Sequence, residues 1–467
     1  LFEVLDLFGF GDMFCKWVKI LYTDVSSCVM NGGNSTGYFG INRGVRQGDP
    51  LSPYLFLLAI EILANTIRND STINGFQVGE YEIKQVLYAD DFTLFMKDVN
   101  SINKVQHVFE EFEKLSGLKV NKEKTNCVWI GKENETPKEH LIFGNIINEV
   151  KILGVIFTRN VKRKEELNYK EILSKIKRLL GWWKERDLSL MGKVHMLKTY
   201  ALSKLNYVSS LIVVPKWVIS EVEKMSFEFL WNGKDRVKRN IMYQTYADGG
   251  IKMSNFALFI KAQRIMWLKR LIYGENKISW KLYFDYCCRS VGGRFIFLCD
   301  YDISKINLKI PPFYLEMMYA WQDLRKCRFP ENESINSIVF NNRSICFKGK
   351  MFCINSLYEK GIYLVNHIME KGKLRSIEHF QNIGVDHNEL LMIMDIFRGI
   401  PASWKEETAL VKFQEVDIET FSLNLKLFSQ KITFQNIKSK QIYDNLINEL
   451  KNLYTLNVKD GQSIFVL

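Results

Sequence analysis

No stretch of this sequence stays apolar for the roughly 20 residues that a helix needs to cross a bilayer. The longest, such as residues 54–60, are cut by charge or turn residues, so no transmembrane helix is expected. None of the nine cysteines forms a CxxC, and no secretory signal opens the chain. Free thiols in a reducing compartment are the simpler reading, which predicts an intracellular protein of cytoplasm and nucleus. The six histidines, at 107, 140, 195, 367, 379 and 387, show no ligand spacing with one another. Cys287, Cys288 and Cys299 lack a nearby histidine, and six residues separate Cys346 from Cys353, so no zinc site is expected. Periodic repeats are lacking too. So is an initiating methionine: hydrophobic sequence begins at once with Leu1-Phe2-Glu3-Val4-Leu5, and the chain reads as a piece of something longer.

What is present is ample for folding. The 467 residues correspond to roughly three domains of ordinary size, and 47% of them are hydrophobic. The 64 Lys and Arg exceed the 52 Asp and Glu by 12, which favours a polyanionic partner such as nucleic acid.

Along the chain, Asn31-Gly32-Gly33 tolerates positive φ and predicts a hairpin between two half-buried strands within residues 20–41. Ser52-Pro53 offers an N-cap and a proline at the first helical position. Leu55, Leu58, Ala59, Ile62 and Ile67 then continue at helical spacing to Asn69. Between residues 81 and 96, two β-prone segments flank Ala89-Asp90-Asp91 and predict a hairpin tipped by acids. A second helix is capped by Ser101, carries Ile102, Val105, Val108, Phe109, Phe112 and Leu115 as its stripe, and ends at Ser116-Gly117. Strands are expected at residues 127–130 and 152–157, giving an α+β layer rather than a parallel sheet. From about residue 161 the sequence turns helical and basic: residues 161–193 hold ten Lys or Arg against five acids. Helices are expected within residues 169–183, 189–208 and 255–273. Beyond about residue 275 the signals are mixed and mainly helical, and no chemistry is legible.

Acidic pairs usually sit on solvated turns, but the residues around Asp90-Asp91 are too apolar for an exposed loop. Adjacent carboxylates repel unless a cation neutralises them, and hard Mg²⁺, with Mn²⁺ as a substitute, is the natural partner. Two such ions about 3.5–4 Å apart can activate a 3′-hydroxyl and stabilise a leaving pyrophosphate, which calls for a further carboxylate.

Tyr88-Ala89-Asp90-Asp91 resembles the YADD box of reverse transcriptases. The run Arg43-Gly44-Val45-Arg46-Gln47-Gly48-Asp49-Pro50-Leu51-Ser52-Pro53-Tyr54-Leu55-Phe56 is similar to the RGVRQGDPLSPYLF box of LINE-type, non-LTR retrotransposon polymerases. Ser116-Gly117-Leu118-Lys119-Val120-Asn121-Lys122-Glu123-Lys124-Thr125 resembles their SGLxxNxxKT segment. Ile152-Leu153-Gly154-Val155 resembles their YLGV strand, with Ile152 in place of Tyr. Four boxes fall in family order. Leu188-Ser189-Leu190-Met191-Gly192-Lys193-Val194 is similar to the thumb helix of the same family. Residues 227–231 and 249–251 resemble elements downstream of it, and residues 335–370 more weakly resemble the tail of invertebrate elements of this type.

The resemblance implies a partial right-hand polymerase palm over residues 1–160, a helical basic thumb over 161–275, and a mixed, mainly helical C-terminal region of unassigned role over 276–467. It implies an RNA-directed DNA polymerase that takes an RNA template, a DNA primer and deoxynucleoside triphosphates. Asp90 and Asp91 would be its metal ligands. Arg46, Gln47, Gly48, Tyr88 and Lys124 would line the nucleotide and template, and Leu153, Gly154, Lys193 and Lys198 would meet the primer. The first catalytic Asp of the family lies in an AFDxV-like strand, and no such box occurs here; neither Asp6 nor Asp24 fits one. Two of three expected carboxylates are therefore present, and the chain by itself is expected to be inactive. A non-catalytic nucleic-acid-binding relic is the alternative, and an intron-maturase-type enzyme a third reading that fits the thumb segment less readily. Plainer readings stand beside these. The residues 119–124 alone would read as a solvated basic turn, and of Trp182 and Trp183 at most one is expected to face substrate. The lysines at 193, 198 and 204 are divided evenly between phosphate contact and a solvated helix face.

Overall fold

The structure, a computed structural model, describes residues 1–41, 44–131, 146–274, 278–289, 293–298, 303, 309–325, 337–340, 342–352, 355–410, 424–427 and 430–459. It divides into two compact units, Leu1–Asn160 and Val161–Leu467. No helix among the described residues is long and apolar enough to cross a membrane.

The first unit opens with α1 (Phe2–Leu7) and α2 (Asp12–Tyr22), followed by four two-residue strands: β1 (Ser26–Ser27), β2 (Met30–Asn31), β3 (Asn34–Ser35) and β4 (Phe39–Gly40). β2 pairs with β3 around Gly32 and Gly33, both at positive φ, while β1 pairs with β4. The hairpin is where the sequence puts it, but it is exposed rather than half-buried, with Met30 73% accessible. Alternation gives a half-buried strand only where a second layer covers one face, and none does so here among the described residues.

α3 (Ser52–Asn69) buries Leu55, Ile60, Leu63, Ala64 and Ile67, a stripe at helical spacing. Its N-cap is Leu51 rather than Ser52, because the Ser52 hydroxyl donates to the Asp49 carboxylate at 2.9 Å. β5 (Phe76–Val78) pairs with β6 (Tyr81–Ile83), and β7 (Gln85–Tyr88) with β8 (Asp91–Leu94). α4 (Val99–Ser116) is capped by Asp98, whose carboxylate accepts from Ser101 N at 2.7 Å. The Ser101 hydroxyl, assigned that role from sequence, accepts instead from Asn74 N at 2.9 Å. Gly117, at φ 71°, ends the helix. The helices and hairpin share a core in which Ile60, Leu63, Ile67 and Val105 meet Leu87, Phe92 and Phe109.

Two expectations about strands need correcting. Residues 127–130 contribute only a bridge, from Cys127 to Ile146. The segment 152–157 is not one strand but the end of β9 (Glu149–Ile152), a turn at Leu153-Gly154, and β10 (Val155–Thr158). Both turn residues have positive φ, 46° and 84°, which extended backbone cannot accommodate. Across the described residues the strands form eight separate two-stranded antiparallel ladders, so the fold mixes α and β without one continuous sheet.

The second unit is dominated by helices. α5 (Val161–Lys184) is followed by α6 (Leu190–Met196), which passes through a π turn, Leu197–Leu202, into α7 (Ser203–Leu211). Then come α8 (Lys216–Trp231), α9 (Arg239–Met242), α10 (Phe256–Ile272), α11 (Ser279–Cys288) and α12 (Pro312–Arg325). After small hairpins and short helices over residues 337–410, α13 (Ser439–Lys459) closes the described chain; α10 packs on both α12 and α13. One hydrophobic cluster runs from Ala262 through Phe284, Trp321 and Phe380 to Leu446, so packing does not break at residue 275.

Arg264 ties this unit together. It is buried and fully engaged: Nε donates to Glu316 at 2.6 Å, and the two terminal nitrogens to the Ser209 and Ile212 carbonyls at 2.9 and 2.7 Å. The guanidinium also lies 4.6 Å from the Phe313 ring centre. Removing one partner of a buried, hydrogen-bonded pair leaves the others desolvated without compensation. Arg264→Leu is therefore expected to destabilise the second unit by about 3–5 kcal/mol. Arg264→Lys should recover little, since an ammonium cannot reproduce the planar fork. Urea unfolding of both variants checks this, and a loss under about 1 kcal/mol for Arg264→Leu would contradict it.

Candidate functional site

β7 and β8 meet in a two-residue turn, Ala89-Asp90, closed by the pair Tyr88 and Asp91. Successive strand residues face opposite sides. Gln85, Leu87, Phe92 and Leu94 face the core, where Phe92 meets Phe109 edge-on at 5.6 Å. Val86, Tyr88 and Asp91 face away; Tyr88 is 67% accessible.

Polar bonds at the far end set where the tip lies. The Gln85 side-chain amide donates to the Ala64 carbonyl at 2.6 Å, and the Lys84 ammonium donates to the Arg68 and Asp70 carbonyls at 3.1 and 2.7 Å. β7 is thereby docked on the C-terminal end of α3. Four residues of strand span about 13 Å, the rise of about nine residues of helix. Counting back from Ala64, Ala89 should come level with about Leu55. The structure agrees: Leu87 and Ala89 line an apolar cleft of about 650 Å³ together with Tyr54, Leu55, Leu58 and Glu61 of α3, and with Phe10 and Phe14. Ala89 holds a φ of 53°, costly for a residue with a Cβ.

Asp90 and Asp91 are both exposed, and neither carboxylate has a hydrogen-bond or ion-pair partner among the described residues. Two adjacent free carboxylates suit a hard divalent cation. They are two only: among the described residues no group of three His, Cys, Asp or Glu side chains gathers to hold a metal. Glu61 lines the cleft, but its carboxylate is paired with Arg68 at 3.1 Å.

The residues preceding α3 form a second cluster. Gly44 and Gly48 have φ of 82° and 89° and bend the chain tightly, leaving Gln47 exposed. Arg43 lies outside the described residues. The Arg46 guanidinium donates to the Leu21 carbonyl at 3.2 Å, near the end of α2. Asp49 accepts from the Tyr22 hydroxyl at 2.8 Å, the Ser52 hydroxyl and Leu51 N. These bonds, Tyr22 foremost, hold its carboxyl below the usual aspartate range. Sequence reading passed over Asp49 as catalyst or anchor; its signal was the Asp-Pro-x-Ser order, which puts a helix-start hydroxyl three residues on. The cleft beside Ala89 is not lined by residues 44–48, contrary to the expectation that turn and hairpin face one cavity.

The remaining residues lie apart from these. Lys124 is exposed in a turn where its backbone N donates to the Asn121 carbonyl, and it has no bond to the hairpin. Leu153 and Gly154 form the β9–β10 turn, with Leu153 41% accessible. Lys193 was expected to meet the primer, but its ammonium donates to the Leu230 carbonyl at 3.3 Å beside the Phe229 ring; the end of α8, with its unpaired carbonyls, attracts a cation. Lys198 lines a small cavity in the second unit. Trp182 is 67% accessible, with the Arg178 guanidinium over its ring, whereas Trp183 is half-buried and stacks on Tyr200.

Residues 1–157 match the reverse transcriptase (RNA-dependent DNA polymerase) family. Residues 1–157, about a third of the chain, are therefore similar to a reverse transcriptase domain. Over 332 residues, 69% of the chain, it is 24% identical to the transposon TX1 uncharacterized 149 kDa protein of Xenopus laevis, covering 25% of that protein. It is 30% identical over 139 residues to the Pol polyprotein of the type-2 retrotransposable element R2DM of Drosophila melanogaster, matching 30% of this chain and 13% of that one. It is 24% identical over 293 residues to the Pol polyprotein of the type-1 retrotransposable element R2 of Popillia japonica, or 60% of this chain and 47% of that one. The chain thus spans between about an eighth and about half of these relatives. The hairpin, the Gly44 to Gly48 bend and the Leu153-Gly154 turn all fall within the matched residues.

Asp49 links the bend to pH. A carboxyl whose folded value is depressed contributes stability above its unfolded value, and that contribution is lost as pH falls through the folded one. Acidification should therefore loosen the 44–52 segment, and Asp49→Asn should flatten that dependence. Amide hydrogen exchange of residues 44–55 at falling pH reads it; an unchanged slope in Asp49→Asn would remove Asp49 from this role.

Proposed function

We propose that this chain belongs to the RNA-directed DNA polymerase of a LINE-type retrotransposon, which extends a DNA primer on an RNA template. In this reading Asp90 and Asp91 are metal ligands, residues 1–160 are the palm, and residues 161–275 the thumb. The observation that carries it is the tip of β7–β8: two unpartnered carboxylates presented by a turn held at positive φ, docked on α3 by Gln85 and Lys84. Mg²⁺, or Mn²⁺, would supply charge for a 3′-hydroxyl and a leaving pyrophosphate. The chain's own residues orient what reacts. The bend at Gln47-Gly48 lets backbone approach the templating pair, with Arg46 placed at its base, and Tyr88 lies on the same strand face as Asp91. Lys124 has a free ammonium for a phosphate. Leu153 and Gly154 offer a projecting tip for the primer, and Lys198 an unpaired cation; Lys193, engaged by α8, is left out of the proposal.

The count of two carboxylates favours a second reading, a relic that binds nucleic acid without catalysis. Both readings share the +12 charge, so both predict binding to RNA or an RNA–DNA duplex that falls steeply with salt, because each phosphate contact releases counterions. Filter binding from low to physiological ionic strength tests this, and salt-independent binding would count against a nucleic-acid partner.

Activity separates the two. Residues 1–467 alone should show no primer extension with Mg²⁺ or Mn²⁺ and deoxynucleotides, since two carboxylates would hold the metal ions incompletely and leave charge developing on the transferring phosphoryl group poorly neutralised. A longer chain that adds an AFDxV-like strand should gain extension, and Asp90→Ala in it should abolish synthesis while leaving salt-sensitive binding nearly intact. Extension by an Asp90→Ala protein would overturn the metal-ligand assignment.

A further inference from the structure

The second unit holds a cavity of about 150 Å³ where the π turn of α6–α7 approaches the start of α10 and the side of α13. Leu202, Phe256 and Phe259 give it apolar walls. Lys198, Asn206, Ser254 and Tyr443 give it polar ones, and no carboxylate lines it. π turns widen a helix by one residue and recur where function demands an irregular surface. Here the π turn carries Lys198.

The donors around the cavity are unclaimed. Among the described residues the Lys198 ammonium and the Asn206 and Ser254 side chains have no hydrogen-bond partner in the fold. The Tyr443 hydroxyl accepts from Asn255 N at 2.8 Å, which leaves its own proton to donate. Lys252, held at a φ of 53° with its ammonium over the Tyr246 ring, is the charged group that acts on Lys198. Lys198 and Asn206 are exposed at the rim of the cavity; partial burial of the ammonium first, and then Lys252, hold Lys198 below the usual lysine range, and no acid offsets them. The Lys198 ammonium, which meets no carboxylate among the described residues, is repelled by Lys252, and an anion in the cavity would relieve that repulsion.

Size decides which anion. At roughly 30 Å³ per water, 150 Å³ holds about five waters, half or less of the roughly 300 Å³ at which pockets begin to take a drug-sized ligand. A nucleoside is too large; a single tetrahedral oxyanion fits. We infer that Lys198, Asn206, Ser254 and Tyr443, with Lys252 beside them, form a phosphate-binding pocket. The phosphate is either one phosphodiester of a bound nucleic acid or free inorganic phosphate. The phosphodiester source rests on the polymerase reading, which already gives Lys198 to the primer, whereas the pocket itself needs neither metal nor deoxynucleotide and lies in the unit that does not carry Asp90.

The test is chemical protection in the full chain. Lys198 is acetylated with a limiting amine-reactive ester and followed by mass spectrometry, with Lys170, exposed and paired with Glu166, as the internal control. Inorganic phosphate or a short RNA duplex, each at about ten times its dissociation constant, should slow Lys198 labelling about ten-fold and leave Lys170 unchanged. Protection by the duplex alone, with Lys198→Gln reducing the salt slope of duplex binding by about one, assigns the phosphodiester. Protection by inorganic phosphate with an unchanged slope in Lys198→Gln assigns the free anion. Absence of protection by both, or equal protection of Lys170, overturns the pocket. Asp90→Ala should label and protect as the parent does, so a failed metal assignment leaves this result readable.

Discussion

The acidic turn is placed from its opposite end. Lys84 bonds the Arg68 and Asp70 carbonyls at the C-terminus of α3, where the helix leaves its last carbonyl groups without partners inside itself, and Gln85 bonds the Ala64 carbonyl about one turn earlier. Once these are fixed, the ratio of strand rise to helix rise carries Ala89 to the first half of α3, and the Leu87 and Phe92 side chains seal the hairpin onto the same core. The Lys84 side chain is buried to 7% accessibility and keeps its charge satisfied by the two carbonyls and by Glu82 at 3.5 Å. A substitution there would move the acids without touching them. This is why the site depends on a lysine that no motif marks.

Lysines in this chain divide by what their neighbours leave for them to do. Lys84 and Lys193 reach carbonyls at helix ends, where the macrodipole favours a cation. Others, such as Lys170 with Glu166, sit in exposed pairs of the i, i+4 kind that contribute a few tenths of a kcal/mol. Lys198 belongs to neither class. It meets no carbonyl and no carboxylate among the described residues, and unlike Lys124, whose ammonium is also free, it lines a cavity and is repelled by Lys252.

Sequence made legible whatever depends on near neighbours along the chain. The α3 stripe, the Gly117 stop and the Asp90-Asp91 hairpin follow from spacing and turn chemistry, and the four boxes quoted from sequence all lie within the matched residues 1–157. What failed was of two kinds. Caps slipped by one to three residues, at Leu51 and Asp98, because Ser52 and Ser101 each found a partner distant in sequence or already engaged. The 152–157 segment resembles one strand in sequence because its apolar residues continue through the turn, and the positive φ of Leu153 and Gly154 marks the reversal. Pockets assembled from far-apart segments, such as Lys198 with Tyr443, leave no local signal at all.

The turns of this protein also supply their own control for the acidic tip. At Gly32-Gly33, Leu153-Gly154, Lys348-Gly349 and Lys371-Gly372 both turn residues have positive φ, and glycine takes the second place every time. At Gly79-Glu80, between β5 and β6, only the first residue is positive, and it is glycine. Ala89-Asp90 follows the Gly79-Glu80 pattern with alanine where glycine would be unstrained. A glycine would lower the strain by removing the Cβ, yet it would also free the backbone next to Asp90. Alanine in that conformation restricts the turn at a cost of order 1 kcal/mol or more, and strain of this kind persists where surrounding structure fixes it and position matters more than stability. Among these turns, the one that presents two adjacent carboxylates is the one that does without glycine, and a rigid turn is what holding charge at a fixed point requires.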